Sequence, residues 1–257
     1  MAGKLDKTPP LLRAFALLER IARADGPVSL RDAALESGLP KPTVYRMLAM
    51  LESAALVVRE SDGRRLAPGP RLTRIGLDAL LNASARAPRH AILKTLAHSV
   101  GETVNLTMLD GSEVVYLDRV EAAWPLRMSL QPGSRVPLHC TASGKLLLSS
   151  LAAARRRRLV GALPLERYTD RTLVDAKRLE AELARIRRDG FATDNEEYLA
   201  GLVCVAVPVT LRRGRTAACV AVHAPVARMS LRAALGHLPA LRRAANEIAQ
   251  VFGAEDS

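Results

Sequence analysis

Apolar positions recur at spacings of three and four over much of this 257-residue chain and switch to alternation in a few short stretches, so the pattern predicts many helices and fewer strands. Leu11 to Ala24 places Leu11, Phe15, Leu18 and Ala22 on one helical face and stops at Gly26-Pro27. SLRDAALESGLPKPTVYRMLAMLESAALVV, from Ser29 to Val58, then reads as two short helices joined by a tight turn. Ser29 can cap the first helix with its hydroxyl, and Asp32 suits the positive end of that helix. Leu30, Ala33 and Ala34 share its inner face, and Gly38 supplies the left-handed residue for a sharp turn. Pro42 fits the first turn of the second helix, where Val44, Met47, Leu48 and Leu51 form an inward stripe. Leu56 to Val58, Ser61-Asp62-Gly63 and Leu66 have the chemistry of a strand, a hairpin turn and a returning strand.

From Pro70 a helix carrying Leu72, Ile75, Ala79 and Ala83 is expected to run to Pro88. The next helix holds Ile92, Leu96 and Val100 and ends at Gly101. Val104, Leu106 and Met108 alternate, Asp110-Gly111 turns, and Val114 and Tyr116 return, which predicts an antiparallel hairpin. A strand is expected at Leu126–Leu130, a helix from about Ala142, a basic helix around Arg155–Arg158, and a helix through Leu179, Leu183 and Ile186 that stops at Gly190. Val203–Val209 and Ala217–Val222 read as buried strands joined at Arg213-Gly214, and one closing helix carries Leu231, Leu235, Leu238, Leu241, Ile248 and Phe252. Hairpins flanked by helices make the fold class α+β. The domains expected are residues 1–69 as a winged helix-turn-helix, 70–88 as a linker helix that could also pair subunits, and 89–257 as a second domain.

With Val44, Met47, Leu48 and Leu51 turned inward, Lys41, Thr43, Tyr45 and Arg46 are left outside at the leading end of the second helix, where a helix-turn-helix reads the major groove. Arg46 and Lys41 suit guanine acceptors or phosphates, and Thr43 and Tyr45 suit phosphates or base edges. Ser29 and Arg31 join this candidate DNA-binding set, as do Arg64 and Arg65 beside the wing turn, with Arg59 near them. Net charge supports nucleic acid without localising it: of the total of +12, residues 1–86, with 14 Lys and Arg against 9 Asp and Glu, account for less than half. No apolar run suits a signal peptide or a membrane span, and three scattered cysteines (Cys140, Cys204, Cys219) suit reduced thiols, so a cytoplasmic protein is expected.

Catalytic patterns fail one by one. His139 and Cys140 are sequence neighbours and rarely face each other, and Ser143 and Lys145 lack the Ser-x-x-Lys spacing. Gly144-Lys145 misses both the leading glycine and the following Ser or Thr of a phosphate loop. Glu196 and Glu197 would point to opposite sides of an extended chain. His139, His223 and Cys204 could hold a metal only if the fold converged them. No enzyme activity, metal or cofactor is expected. Thr141 can cap a helix whose free N–H groups form an anion site, the alternative being a capped helix with no ligand.

GLPKPTVYRML in the helix-turn-helix, VPLHCTASGK at 136–145 and GFATDNEEYLAGLVCVAVPV at 190–209 together resemble the IclR family of bacterial transcription regulators. The resemblance runs from about Leu11 to Phe252. It implies a winged helix-turn-helix, a linker helix, a GAF-like effector domain with an antiparallel sheet, and homodimers or homotetramers on palindromic or repeated double-stranded operators. It also implies a small organic-acid effector, with main chain at Ala142 and Ser143 and side chains of Asp194 and Cys204 at the pocket. Met128, Val136, Thr141, Ala221 and His223 complete the candidate effector-binding set. Where the family often has Ser-x-Ser-Gly-Pro, this chain has Ala221-Val222-His223-Ala224-Pro225, which suggests a larger or flatter ligand than a two- or three-carbon acid. The alternative is a DNA-binding protein whose C-terminal domain only oligomerises.

Overall fold

The computed structural model describes residues 8–24, 26–60, 63–122, 130–211 and 214–253, and the chain divides into two compact units, residues 1–80 and 81–257. The first unit is built in the order α1 (Pro10–Arg23), β1 (Val28–Ser29), α2 (Leu30–Ser37), α3 (Lys41–Ser53), β2 (Val57–Arg59), β3 (Arg65–Pro68) and α4 (Pro70–Leu81). Its small antiparallel sheet has the order β1-β3-β2, with Leu66 opposite both Val28 and Arg59. The hydroxyl of Ser29 accepts from the Asp32 amide at 3.0 Å, and Gly38 closes α2 with φ +66°, so cap and turn form as their residue types dictate. Ile21, Ala33, Val44, Leu48, Val57 and Leu66 meet in one core.

The face of α1 differs from the one its spacing suggested. Leu17, Leu18 and Ile21 are buried, whereas Leu11 is 67% and Phe15 53% exposed. Leucines on more than one side of this helix leave its face to be chosen by what it meets, and contacts with α2, α3 and β3 select the later turns.

The second unit contains α5 (Ala83–Val100), β4 (Thr103–Asp110), β5 (Glu113–Val120), β6 (Arg135–Pro137), α6 (Ala142–Ser150), α7 (Ala153–Ala162) and α8 (Ala176–Asp189). It ends with β7 (Ala192–Asn195), β8 (Leu202–Thr210), β9 (Thr216–Pro225), α9 (Leu231–Gly236) and α10 (Leu238–Gly253). The six strands form one sheet in the order β6-β5-β4-β9-β8-β7, and each neighbouring pair is antiparallel. Helices α5 and α10 pack on the strands, as does α6, which α8 backs. Cys204, Ala206, Cys219 and Ala221 belong to the cluster around α6 and α8. The intervening Val203, Val205, Val220 and Val222 are equally buried, because the sheet is covered on both faces.

Under that double cover Asn105 and Thr107 are buried beside Val104 and Leu106, and the register shifts between Leu106 and Thr107. The helix expected from Pro70 to Pro88 is two helices. The Asn82 side chain accepts from the Ser84 amide at 3.0 Å and starts α5, which carries Pro88 inside it. Proline there forfeits a main-chain bond, but Arg86 and His90 on the same helix both reach the buried carboxylate of Asp118, at 2.7 and 3.0 Å. The closing helix also divides: the His237 amide ends α9 and its carbonyl accepts from Leu241 to begin α10, with Pro239 in the first turn where its missing N–H costs little. The strand expected at Leu126–Leu130 lies, apart from Leu130, outside the described residues, as do Ser61 and Asp62 of the wing turn and Arg213.

Candidate functional site

Two faces carry chemistry. On α3, Val44, Met47, Leu48 and Leu51 are buried while Lys41, Tyr45 and Arg46 are exposed and Thr43 is half-buried. Arg31, Arg64 and Arg65 are also exposed. The Ser29 hydroxyl is engaged in the cap of α2 and donates to Asp32 at 2.6 Å. Arg59 turns to Glu52 of α3, at 2.9 Å, and to the Gly63 carbonyl at 3.2 Å, so it braces the wing.

In the second unit, register across the sheet sets out a row of side chains: Thr103 on β4, His223 on β9, Cys204 on β8 and Asp194 on β7. The adjoining row runs Arg119, Asn105, Ala221, Ala206, Ala192. The N-terminus of α6 stands over this face. Thr141 caps it, accepting from the Gly144 amide at 3.1 Å, and its hydroxyl donates to the Pro137 carbonyl at 2.7 Å. The amides of Ala142 and Ser143 fall in the first turn, where a helix has no acceptors of its own. Gly144 allows this approach, because a Cβ at that position would lie 2.3 Å from the Leu138 carbonyl oxygen.

Between sheet and helix lies a cavity of about 30 Å³. Among the described residues it is lined by Val136, Thr141, Ala142, Ser143, Asp194, Cys204 and His223, together with Asn105, Val114, Tyr116, Tyr198 and Leu202. The candidate effector residues other than Met128 and Ala221 therefore converge. Met128 lies outside the described residues, and Ala221 is buried one row along, between Asn105 and Ala206, without lining the space. At roughly 10–15 Å³ per water centre the cavity holds two or three waters. The ring of His223 is part of its wall.

Asn105, Val114, Tyr116, Tyr198 and Leu202 are absent from the sequence-based set. Asn105 alternates with Val104 and Leu106, which points it outward on a one-sided sheet; here it is 2% exposed because both faces are covered. Tyr198 packs edge-on against Tyr168, with ring centroids 5.2 Å apart, and nothing local in the sequence signals that pairing.

The electrostatics follow from burial. The carboxyl of Asp194 is pushed up to about 7 by desolvation, partly opposed by the amides of Glu197 and Tyr198, which donate to it at 2.7 and 3.4 Å. His223 is pulled down to about 3, first by burial and then by the charges of Arg119 and Arg228, so it is neutral at physiological pH. Burial likewise raises the Cys204 thiol, which stays protonated. On α6 the buried Lys145 ammonium pairs with Glu197 and lies 3.6 Å from Glu182 of α8. His139 is tied to the Glu166 carbonyl at 2.9 Å, and no cluster of three His, Cys, Asp or Glu able to hold a metal occurs among the described residues.

Comparison with known proteins finds the IclR helix-turn-helix domain over residues 10–61 and the bacterial transcriptional regulator IclR C-terminal domain over residues 78–250. The chain is 49% identical over 241 residues to the probable transcriptional regulator SauR of Cupriavidus necator, covering 94% of this chain and 96% of that one. The Thermotoga maritima IclR structure matches with a TM-score of 0.63 at 30% identity, over 95% of this chain and 98% of that one. An IclR homolog of Microbacterium hydrocarbonoxydans, solved with 4-hydroxybenzoate, shares the fold with a TM-score of 0.61 at 23% identity, over 96% of this chain and 100% of that one.

Proposed function

This chain belongs to the IclR family of bacterial transcriptional regulators, and from that premise we propose that it binds operator DNA through α3 and senses a small organic acid in the cavity under α6. Lys41, Thr43, Tyr45 and Arg46 meet the major groove, with Ser29, Arg31, Arg64 and Arg65 along the phosphates. Residues 1–69 read DNA, 70–88 link, and 89–257 sense and associate. The protein works in the cytoplasm as a homodimer or homotetramer; the exposed Leu11, Leu12 and Phe15 of α1 and Ile75 of α4 favour subunit contacts. No described helix is long and apolar enough to cross a membrane.

The observation that carries the sensing is the convergence of the α6 N-terminus with Asp194, Cys204 and His223 on one buried cavity. A carboxylate is stabilised at that terminus by amides and dipole, and the neutral form of Asp194 can donate to it. The effector shifts operator affinity by preferring one arrangement of the protein over another. The volume of about 30 Å³ favours a second reading, in which the C-terminal unit only oligomerises.

Thermal melting of the full chain against acetate, glyoxylate, pyruvate, benzoate and 4-hydroxybenzoate separates the two, since a ligand of the folded state raises the melting temperature. A selective shift by one class of acid, small aliphatic or aromatic, is expected. A flat panel rejects the acid sensor and leaves the oligomerisation reading.

A further inference from the structure

A chain of three buried side chains runs across β5, β4 and β9 into the cavity. The guanidinium of Arg119 donates from Nη1 to Oδ1 of Asn105 at 3.0 Å, and Nδ2 of Asn105 faces Nδ1 of His223 at 2.9 Å. Arg119 is itself held by Glu121, Nε to Oε1 at 3.3 Å.

The direction of this chain is forced. A guanidinium has only donors, so the amide atom facing it must be the oxygen of Asn105. The nitrogen end of the amide, again only a donor, must then face His223. Nδ1 of the imidazole therefore carries the lone pair and accepts, and the single proton of the neutral ring sits on Nε2. An imidazolium would set an N–H against an N–H and would stand near the charges of Arg119 and Arg228 in a buried site. No hydrogen bond is made by Nε2 among the described residues, and the ring lines the cavity with Asp194 and Cys204.

We propose that Arg119, acting through Asn105, fixes His223 as the Nε2–H tautomer, an oriented and uncharged donor for an oxygen atom of the effector. Arg119 and Asn105 are then positioning residues for selectivity, although Arg119 does not line the cavity. The proposal rests on the effector reading above and narrows it: the amides at the start of α6 favour the negative end of the acid, while His223 selects an oxygen acceptor without adding charge. An imidazole locked this way cannot turn its lone pair to a ligand donor, so acids bearing an amino group on that side are disfavoured.

The test uses the full chain labelled with nitrogen-15. Imidazole nitrogen shifts read the tautomer directly, before any ligand is added. Wild type is expected as Nε2–H alone. Arg119→Met frees the Asn105 amide to turn over, so a mixture is expected, and Arg119→Lys, which keeps a donor without an acceptor, is expected to restore the single form. Should Arg119→Met not fold, Asn105→Asp serves: its carboxylate can only accept, so the ring proton moves to Nδ1. A wild-type Nδ1–H form, or an Nε2–H form untouched by both substitutions, overturns the relay.

Pyruvate is then titrated in. The Nε2–H signal is expected to move and to exchange more slowly, with pyruvate binding about fivefold weaker in Arg119→Met, the scale of one neutral hydrogen bond. Pyruvate binding that leaves the Nε2–H signal in place overturns the donor role. If no acid of the panel binds, the effector reading fails, and the ligand-free spectra still decide the relay separately.

Discussion

Gly144→Ala adds one methyl group at the point where α6 meets the main chain before it. Its Cβ would lie 2.3 Å from the Leu138 carbonyl oxygen, 2.5 Å from the Leu138 Cα and 2.7 Å from its carbonyl carbon. Main-chain atoms have no rotamer to escape into. To regain a separation near 3.5 Å the helix must withdraw by about 1 Å. Ala142 to Ser149 are buried throughout, so withdrawal opens gaps on the far side as it relieves the clash. Overpacking costs about 1–3 kcal/mol, and the rigid neighbour puts this site at the upper end, near 3 kcal/mol. With a urea slope of about 2 kcal/mol per molar, the midpoint of the second unit should fall by about 1.5 M.

Urea unfolding followed by near-ultraviolet circular dichroism checks this, since Tyr116, Tyr168 and Tyr198 all belong to that unit. Gly161→Ala in α7 is the matched control. Nothing lies within 4 Å of the Cβ it adds, so helix propensity should hold stability constant or raise it by up to about 1 kcal/mol. A Gly144→Ala midpoint within about 0.3 M of wild type, or an equal fall in both variants, refutes close approach as the reason for glycine here.

Arg46→Ala should weaken binding to a duplex recognised by the wild type by about 1–3 kcal/mol without moving the melting temperature; unchanged affinity in fluorescence anisotropy removes Arg46 from the reading face. Lys145→Met strands the buried carboxylate of Glu197 and should cost about 3–5 kcal/mol, with much of the loss recovered by adding Glu197→Leu; a double variant no more stable than the single one counts against the ion pair. Asp194, raised to about 7 by burial, keeps its proton in the folded chain after the unfolded chain has lost it. It therefore contributes stability at low pH that is lost as pH rises from about 4 through about 7, at most about 4 kcal/mol. Asp194→Asn should flatten the fall in melting temperature between pH 5 and 8, and parallel profiles for the two proteins would place the titration elsewhere.

The helix-turn-helix was legible in the sequence because its signals are local. Ser29 caps within three residues, Gly38 turns within one, and the stripe from Val44 to Leu51 needs only the helical period. Thr141 could be read as a cap for the same reason, whereas the close approach that Gly144 permits, to Leu138, is visible only in three dimensions. Local rules failed where distant contacts outweighed them. Pro88 sits inside α5 because Asp118, on β5, holds Arg86 and His90, and the apolar face of α1 was chosen by the elements it meets.

The sequence by itself determined most of the helices and strands with their caps, since periodicity and turn chemistry act over a few positions, and the resemblance of its motifs to the IclR family pointed to several of the residues that meet at the cavity. The tertiary structure alone decided that helices cover both faces of the sheet, which buries Asn105 and carries Arg119, through Asn105, to His223 across three strands. It also decided the size of the cavity and the neutral state of its histidine, because volume and desolvation depend on everything packed around a residue and not on its neighbours in the chain.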